Sequence, residues 1–244
     1  MALLDRLQFA LDAIYPPRCL ACGGVVSTDG GLCGPCFRDT AFIGETICDC
    51  CGTPLPGEAR GETLYCDTCL EAPPPWSHGR AAFVYRDAGR RMVLALKHGD
   101  RQEIAQPAAR WMAAKVQNIV SAETLIAPVP LHWRRMVRRR YNQSALLARA
   151  LAREVGATPC LDLLHRVRAT PSLDGLGRVD RSDTVAEAFQ VHPRRLGLIA
   201  DRPVLLVDDV MTTGSTLAAC TLACIEAGSG PVSVAVLARV AKEP

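Results

Sequence analysis

Residues 204–216 read VLLVDDVMTTGST, and this stretch decides the fold. Four uncharged, β-rich residues suit a strand covered on both faces, as in a parallel sheet. Two aspartates follow, then a turn with four hydroxyls and a glycine, and a helical pattern that starts at Ser215. In open α/β sheets ligands gather beyond the carboxyl ends of the strands, so the motif stands at a binding edge. A P-loop would need GxxxxGK[ST], and a dinucleotide fold GxGxxG after a strand; neither pattern is present. A receiver-type acidic pair would sit on the first strand of its domain and lacks the hydroxyl turn. Solvated aspartates at a strand end are common, but they leave the hydroxyl turn without a reason.

The surrounding sequence alternates between strand and helix patterns. Strands are expected at 81–85 (AAFVY), 124–129 (TLIAPV), near 160–165, at AFQV, at 203–207 and at 232–237 (VSVAVL). Helices are expected near 89–97, 102–120, 144–155 and 215–227, with a polar loop from 168 to about 184. Such alternation implies an α/β fold, a parallel sheet flanked by helices on both faces.

The chain has 244 residues, 49% of them apolar, enough for one domain of ordinary size and a smaller module. A net charge of +3 does not by itself indicate a nucleic-acid partner. No run of about 18 uncharged apolar residues occurs, so no membrane span is expected. In the opening MALLDRLQFALDAIYPP, Asp5, Arg6 and Asp12 interrupt what would otherwise resemble a signal peptide. The stretch fits an amphipathic helix over 1–16, stopped by Pro16 and Pro17; the alternatives are packing on its own protein or lying on a membrane surface. A cytoplasmic protein is expected.

Nine of the twelve cysteines fall between Cys19 and Cys69, a density that in a reducing compartment argues for metal ligation. CLACG (19–23) is followed by CGPCF (33–37), and CDCCG (48–52) by CDTCL (66–70), an internal repeat of paired zinc knuckles. The repeat assigns Cys19, Cys22, Cys33 and Cys36 to one structural Zn²⁺ and Cys48, Cys51, Cys66 and Cys69 to a second. Pairing interleaved between the halves stays open, as does an iron–sulfur cluster. Cys50 is either a spare thiol or a substitute ligand, while Cys160, Cys220 and Cys224 lie in apolar surroundings and read as core. The expected organisation is a helix over 1–16, a double zinc ribbon over 17–75 and an α/β domain over 76–244, with EAPPPWSHG (71–79) as a stiff linker or domain edge.

The turn TTGST offers hydroxyls and backbone N–H groups at a helix N-terminus, an arrangement suited to phosphate. Two carboxylates beside a phosphate need a different role, either accepting hydrogen bonds from a vicinal diol or holding Mg²⁺ through water. A ribose 5-phosphate activated at C1 by pyrophosphate satisfies both halves.

VLLVDDVMTTGST resembles the phosphoribosyl pyrophosphate signature of type I phosphoribosyltransferases. Together with PPRCLACG, ALKHGD (95–100), PVPLH (128–132) and RRRYNQSALLARALA (138–152), the chain resembles the ComF family, zinc-ribbon phosphoribosyltransferase-like proteins associated with DNA uptake in natural competence. The resemblance implies that Asp208 and Asp209 bind the ribose hydroxyls and that Thr212, Thr213, Gly214, Ser215 and Thr216 bind the 5-phosphate. It places Lys97, Arg140 and the PVPLH loop near the ligand, with Mg²⁺. Arg178 and Arg181, in the loop 170–189, would steady the leaving pyrophosphate. That loop departs from the family pattern at Leu173, where glutamine is usual, and at Thr184, where asparagine is usual. No general base or acceptor can be named.

A binding role without chemistry is the alternative. Arg134–Arg140 holds five arginines between Trp133 and Tyr141, suited to the phosphates and bases of single-stranded DNA or to the pyrophosphate site itself. DNA-uptake proteins are the implied partners. His98 and His132 read as ordinary loop histidines.

Overall fold

The apolar run of the opening motif lies inside a five-stranded parallel sheet. The computed structural model describes residues 15–58, 61–98, 101–131, 141–167 and 188–241. Its strands are β1 (Gly79–Val84), β2 (Leu125–Pro128), β3 (Thr158–Pro159), β4 (Leu164–Arg166), β5 (Phe189–Val191), β6 (Val204–Met211) and β7 (Val232–Arg239). The main sheet has the order β1-β7-β6-β2-β3 with every neighbouring pair parallel. Its helices are α3 (Asp87–His98), α4 (Ala105–Val116), α5 (Gln143–Val155), α6 (Leu196–Ile199) and α7 (Ser215–Glu226), after the short α1 (Gly34–Arg38) and α2 (Asp67–Glu71) of the cysteine region. This is the fold class expected, and no helix among the described residues is long and apolar enough to cross a membrane.

Strand alternation divides the β6 side chains between two cores. Leu205 and Val207 join Met92 of α3, Met112 of α4 and Leu147 and Leu151 of α5. Val204 and Leu206 join Leu217, Cys220 and Cys224 of α7, together with Cys160. These three late cysteines are core residues, as expected.

Two expected strands of the sheet are placed differently. The stretch near 160–165 splits: β3 pairs with β2, whereas β4 turns away and pairs antiparallel with β5, the AFQV segment. The pairing with β2 closes on the bond from the Cys160 N–H to the Ile126 carbonyl (2.9 Å), and the chain turns at once, with the Leu163 N–H donating to the Cys160 carbonyl at 3.3 Å. The helix expected over 102–120 begins as a 3₁₀ turn at Gln102–Ile104 and ends at Val116.

The cysteine region packs directly on the sheet. Ala41–Ile43 runs antiparallel along the edge strand β1, the Ile43 N–H donating to the Ala82 carbonyl (3.0 Å) and the Val84 N–H to the Ala41 carbonyl (2.9 Å). The otherwise open sheet edge is thereby covered. Phe42 meets Phe83 and Trp111 edge-on, with centroids 6.1 and 5.4 Å away. Ile43, Cys48, Cys51 and Cys69 share one core with β2, β6 and β7. Asp49 reaches the start of β1: Arg80 Nη2 lies 2.7 Å from Oδ1, and Nδ1 of His78, just before the strand, lies 2.7 Å from Oδ2. The segment 71–79 leads into β1 with Trp76 buried, the Ser77 N–H donating to the Val232 carbonyl and the Val234 N–H to the His78 carbonyl.

Candidate functional site

β6 outruns its neighbour. Its pairing with β2 ends at Val207 opposite Pro128, while its pairing with β7 continues to Met211 opposite Arg239. The aspartates therefore lie within the strand, not in the turn beyond it, and the one-sided extension leaves a crevice. Adjacent strand residues face opposite ways. Asp208 lines an open cleft with Val210, Met211 and Thr212–Leu217. Asp209, only 7% exposed, turns toward α3, where Lys97 Nζ lies 2.8 Å from its Oδ1.

Asp208 Oδ1 accepts hydrogen bonds from Ser144 Oγ (2.7 Å) and from the Asp209 N–H (2.8 Å). Burial, and next the Asp209 charge, push its carboxyl up to about 7 against those bonds and the Lys97 charge. A cation or a pair of hydroxyl donors arriving in the cleft would draw off that proton.

Ser144 is held by the start of α5. Asn142 caps this helix, accepting from the Ser144 N–H (3.0 Å) and donating to the Val129 carbonyl (3.3 Å). The fully buried Gln143 donates to the Lys97 carbonyl (3.3 Å), and the Tyr141 hydroxyl to the Leu96 carbonyl (2.8 Å). Four consecutive residues thus tie the end of α3, the end of β2 and Asp208 together. Exposed His98 is the last residue of α3, a helical position where a loop was expected.

Gly214 is the N-cap of α7, with φ 83°. A Cβ there would meet the Trp76 ring at 2.8 Å, so both the left-handed backbone and the close approach call for glycine. The Thr213 and Ser215 hydroxyl oxygens are 2.8 Å apart, and α7 has no acidic residue in its first turn. Backbone N–H groups of the first turn, hydroxyls and the helix dipole converge where an anion is favoured.

The two cysteine groups form as the repeat predicts: Cys19, Cys22, Cys33 and Cys36 converge, as do Cys48, Cys51, Cys66 and Cys69, all sulfurs within 4.8 Å of one another in each group. Zn²⁺ held about 2.3 Å from four thiolates spaces them roughly 3.8 Å apart. The Cys22–Cys33 and Cys51–Cys66 sulfurs lie 3.7 and 3.8 Å apart, so the donor sets fit the ion. Glycines with positive φ, Gly23 and Gly52, follow the first knuckle of each half. Cys50 stands outside both groups, its thiol pushed up chiefly by burial.

Helix 1–16 up to residue 14, His132, Trp133, the Arg134–Arg140 run with Arg140, and the loop residues Leu173, Arg178, Arg181 and Thr184 lie outside the described residues.

Residues 10–70 match the family model of the double zinc ribbon domain. The DNA utilization protein YhgH of Escherichia coli K12 is 33% identical over 215 residues, which span 86% of this chain and 90% of that protein. The chain belongs to the ComF family. Two further relatives are Competence protein F of Haemophilus influenzae, 29% identical over 82% of this chain and 87% of its own, and Competence protein ComFC of Streptococcus pneumoniae, 25% identical over 91% and 100%. Among solved structures, the allosteric regulatory enzyme of purine biosynthesis aligns at TM-score 0.39 and 19% identity over 59% of this chain and 30% of that one. The glutamine phosphoribosylpyrophosphate amidotransferase of B. subtilis aligns at 0.40 and 16% over the same shares.

In this ComF member three site residues escape the motifs: Ser144, Trp76 and Arg239. Ser144 stood in the RRRYNQS stretch, where the arginines drew attention from the hydroxyl. The signal for Trp76 was an aromatic directly after three prolines. Arg239 closes the last apolar strand and carried no signal of its own.

Proposed function

We propose that the crevice beyond β6 binds phosphoribosyl pyrophosphate with Mg²⁺ and that the protein acts in DNA uptake. The observation that carries the ligand is the meeting, in one cleft, of the Asp208 carboxylate and the hydroxyl-lined start of α7. The 5-phosphate would rest on Thr212, Thr213, Gly214, Ser215 and Thr216, and the ribose hydroxyls would donate to Asp208. Asp209 and Lys97 belong to the ligand set on the α3 side. Mg²⁺, when bound, supplies charge neutralisation for the pyrophosphate, and Asp208 is a hard oxygen donor suited to it. Arg140 and Arg178 complete the cationic side in the family's pattern. The two cysteine groups would each hold one structural Zn²⁺.

If transfer occurs, the bond from C1 to pyrophosphate oxygen breaks as a nucleophile attacks C1, and the pyrophosphate leaves with the electron pair, steadied by Arg178. The role in DNA uptake is supported by the names of the relatives, which speak of DNA utilization and competence. These names also favour a second reading: a phosphoribosyl pyrophosphate sensor that binds single-stranded DNA through Arg134–Arg140 and the ribbons.

Calorimetric titration of the zinc-loaded chain with phosphoribosyl pyrophosphate and Mg²⁺ tests the ligand. Saturable binding that is lost in Asp208→Ala/Asp209→Ala is expected; no binding by the wild type sinks the reading. Consumption of the bound sugar donor with candidate bases separates transfer from sensing. Salt-sensitive binding of single-stranded DNA, weakened by neutralising the arginine run, supports the second reading.

A further inference from the structure

The second cysteine group and the candidate phosphate turn are joined by two side chains. Trp76, 6% exposed, donates its indole N–H to the Cys50 carbonyl at 2.6 Å. The far edge of the same ring covers Gly214: a Cβ at that position would lie 2.8 Å from Cη2 and 3.7 Å from Cζ2. Arg239 spans the same gap by hydrogen bonds. Its Nε donates to the Cys51 carbonyl (3.2 Å), and its Nη1 to the carbonyls of Met211 (3.1 Å) and Thr212 (2.6 Å). Both residues therefore touch the knuckle at Cys50 and Cys51 on one side and the Met211–Gly214 backbone on the other.

The knuckle keeps its shape through its four converging thiolates and through local bonds such as Gly52 N–H to the Cys48 carbonyl (2.8 Å). The first cysteine group makes its contacts elsewhere: Cys19 and Cys36 pack on Ala88 of α3. It therefore serves as an internal control.

We infer that Arg239 and Trp76 are positioning residues, which hold the 212–216 turn in its anion-binding shape against the second cysteine group. An intact second group is then a condition for tight binding at the turn, and the first group is not. The phosphate ligand in this inference rests on the proposed function; the mechanical coupling does not.

Amide hydrogen exchange on the zinc-loaded full chain tests the coupling, read at a peptide spanning 211–217 and at a reference peptide spanning β2. Arg239→Lys keeps the charge and loses the planar fork that spans the gap. It is expected to speed exchange across 212–216 about tenfold and leave the β2 peptide unchanged. Cys66→Ser/Cys69→Ser should reproduce the effect, whereas Cys22→Ser/Cys33→Ser should not. Affinity for phosphoribosyl pyrophosphate with Mg²⁺ should fall about tenfold in Arg239→Lys, the equivalent of one lost hydrogen bond. Wild-type exchange at the turn in Arg239→Lys, or equal acceleration in both cysteine variants, overturns the inference. Should a cysteine variant lose its fold, seen at the reference peptide, Arg239→Lys and Trp76→Phe decide the matter alone. If the turn responds as expected while the wild type binds no sugar phosphate, the positioning role stands and the ligand assignment fails.

Discussion

Asp49→Ala should loosen the cysteine region from the sheet. The Arg80 side chain is 8% exposed and that of Asp49 19%, so the pair is largely withdrawn from water. Removing one partner of a buried ion pair costs about 3–5 kcal/mol, because the other charge stays buried. Here Arg80 Nη1 keeps its bonds to the Asp49 and Gly79 carbonyls, both 3.0 Å, and the residual exposure screens the loss. These reduce the expected cost to about 2–3 kcal/mol, or a Tm lower by roughly 5–10 °C for a chain of this size. Asp49→Ala/Arg80→Met removes both charges and should cost less than Asp49→Ala alone. The pH dependence has a definite sign. Burial alone would raise the Asp49 carboxyl, but Arg80 and His78 hold it below its ordinary value. Its contribution is full above the unfolded value near pH ~4 and is lost as pH falls through the depressed folded value. Urea midpoints by circular dichroism, taken between pH 3 and 8, measure this. A loss under about 1 kcal/mol at neutral pH, or a double variant worse than the single, refutes a buried pair that anchors the region.

Four further outcomes are expected. With the Asp208 carboxyl near 7, affinity for the Mg²⁺ complex should rise as pH climbs through that value, while its contribution to ligand-free stability, full below the unfolded value, fades over the same climb. Ser144→Ala should move the binding midpoint upward by about one pH unit and weaken binding at neutral pH about tenfold, read by titration across pH 6–8.5; an unmoved midpoint excludes Ser144 as the residue that tunes Asp208. Gly79→Ala drives a Cβ into the Cys50 carbonyl oxygen, with the Cys51 Cα only 3.0 Å away, and should lower stability by about 3 kcal/mol or more, whereas Gly44→Ala, with nothing within 4 Å, should be neutral. Chelation should release two zinc ions and eight reactive thiols and lower the urea midpoint; a metal-free chain of unchanged stability contradicts the structural role.

What the sequence revealed was what local pattern controls. The alternation of apolar runs located β6, α7 and β7, and the repeated knuckles paired the cysteines correctly because ligand spacing is a local constraint. Features made by tertiary packing were not legible. The aspartates read as equivalent neighbours, yet the pleat sends one into the cleft and the other to Lys97. Gln143 sat in a stretch dominated by arginines, but it is fully buried, and its partner carbonyl lies 46 residues away. Trp76 followed three prolines and read as part of a linker, though the space it fills was set by Gly214, far along the chain. The split of the 160–165 segment depended on whether β3 would be released from its neighbour, a competition between partners that propensity does not encode.

The shared core has a consequence for how the chain is made. Synthesis delivers Cys19–Cys69 before any strand of the sheet, so the cysteine region emerges ahead of the surface it packs on. Ile43, Cys48, Cys51 and Cys69 then wait with an apolar face whose partners in β2, β6 and β7 are all translated later. If the two cysteine groups hold zinc as proposed, metal supply during translation would set how firm a surface the later strands find to pack on.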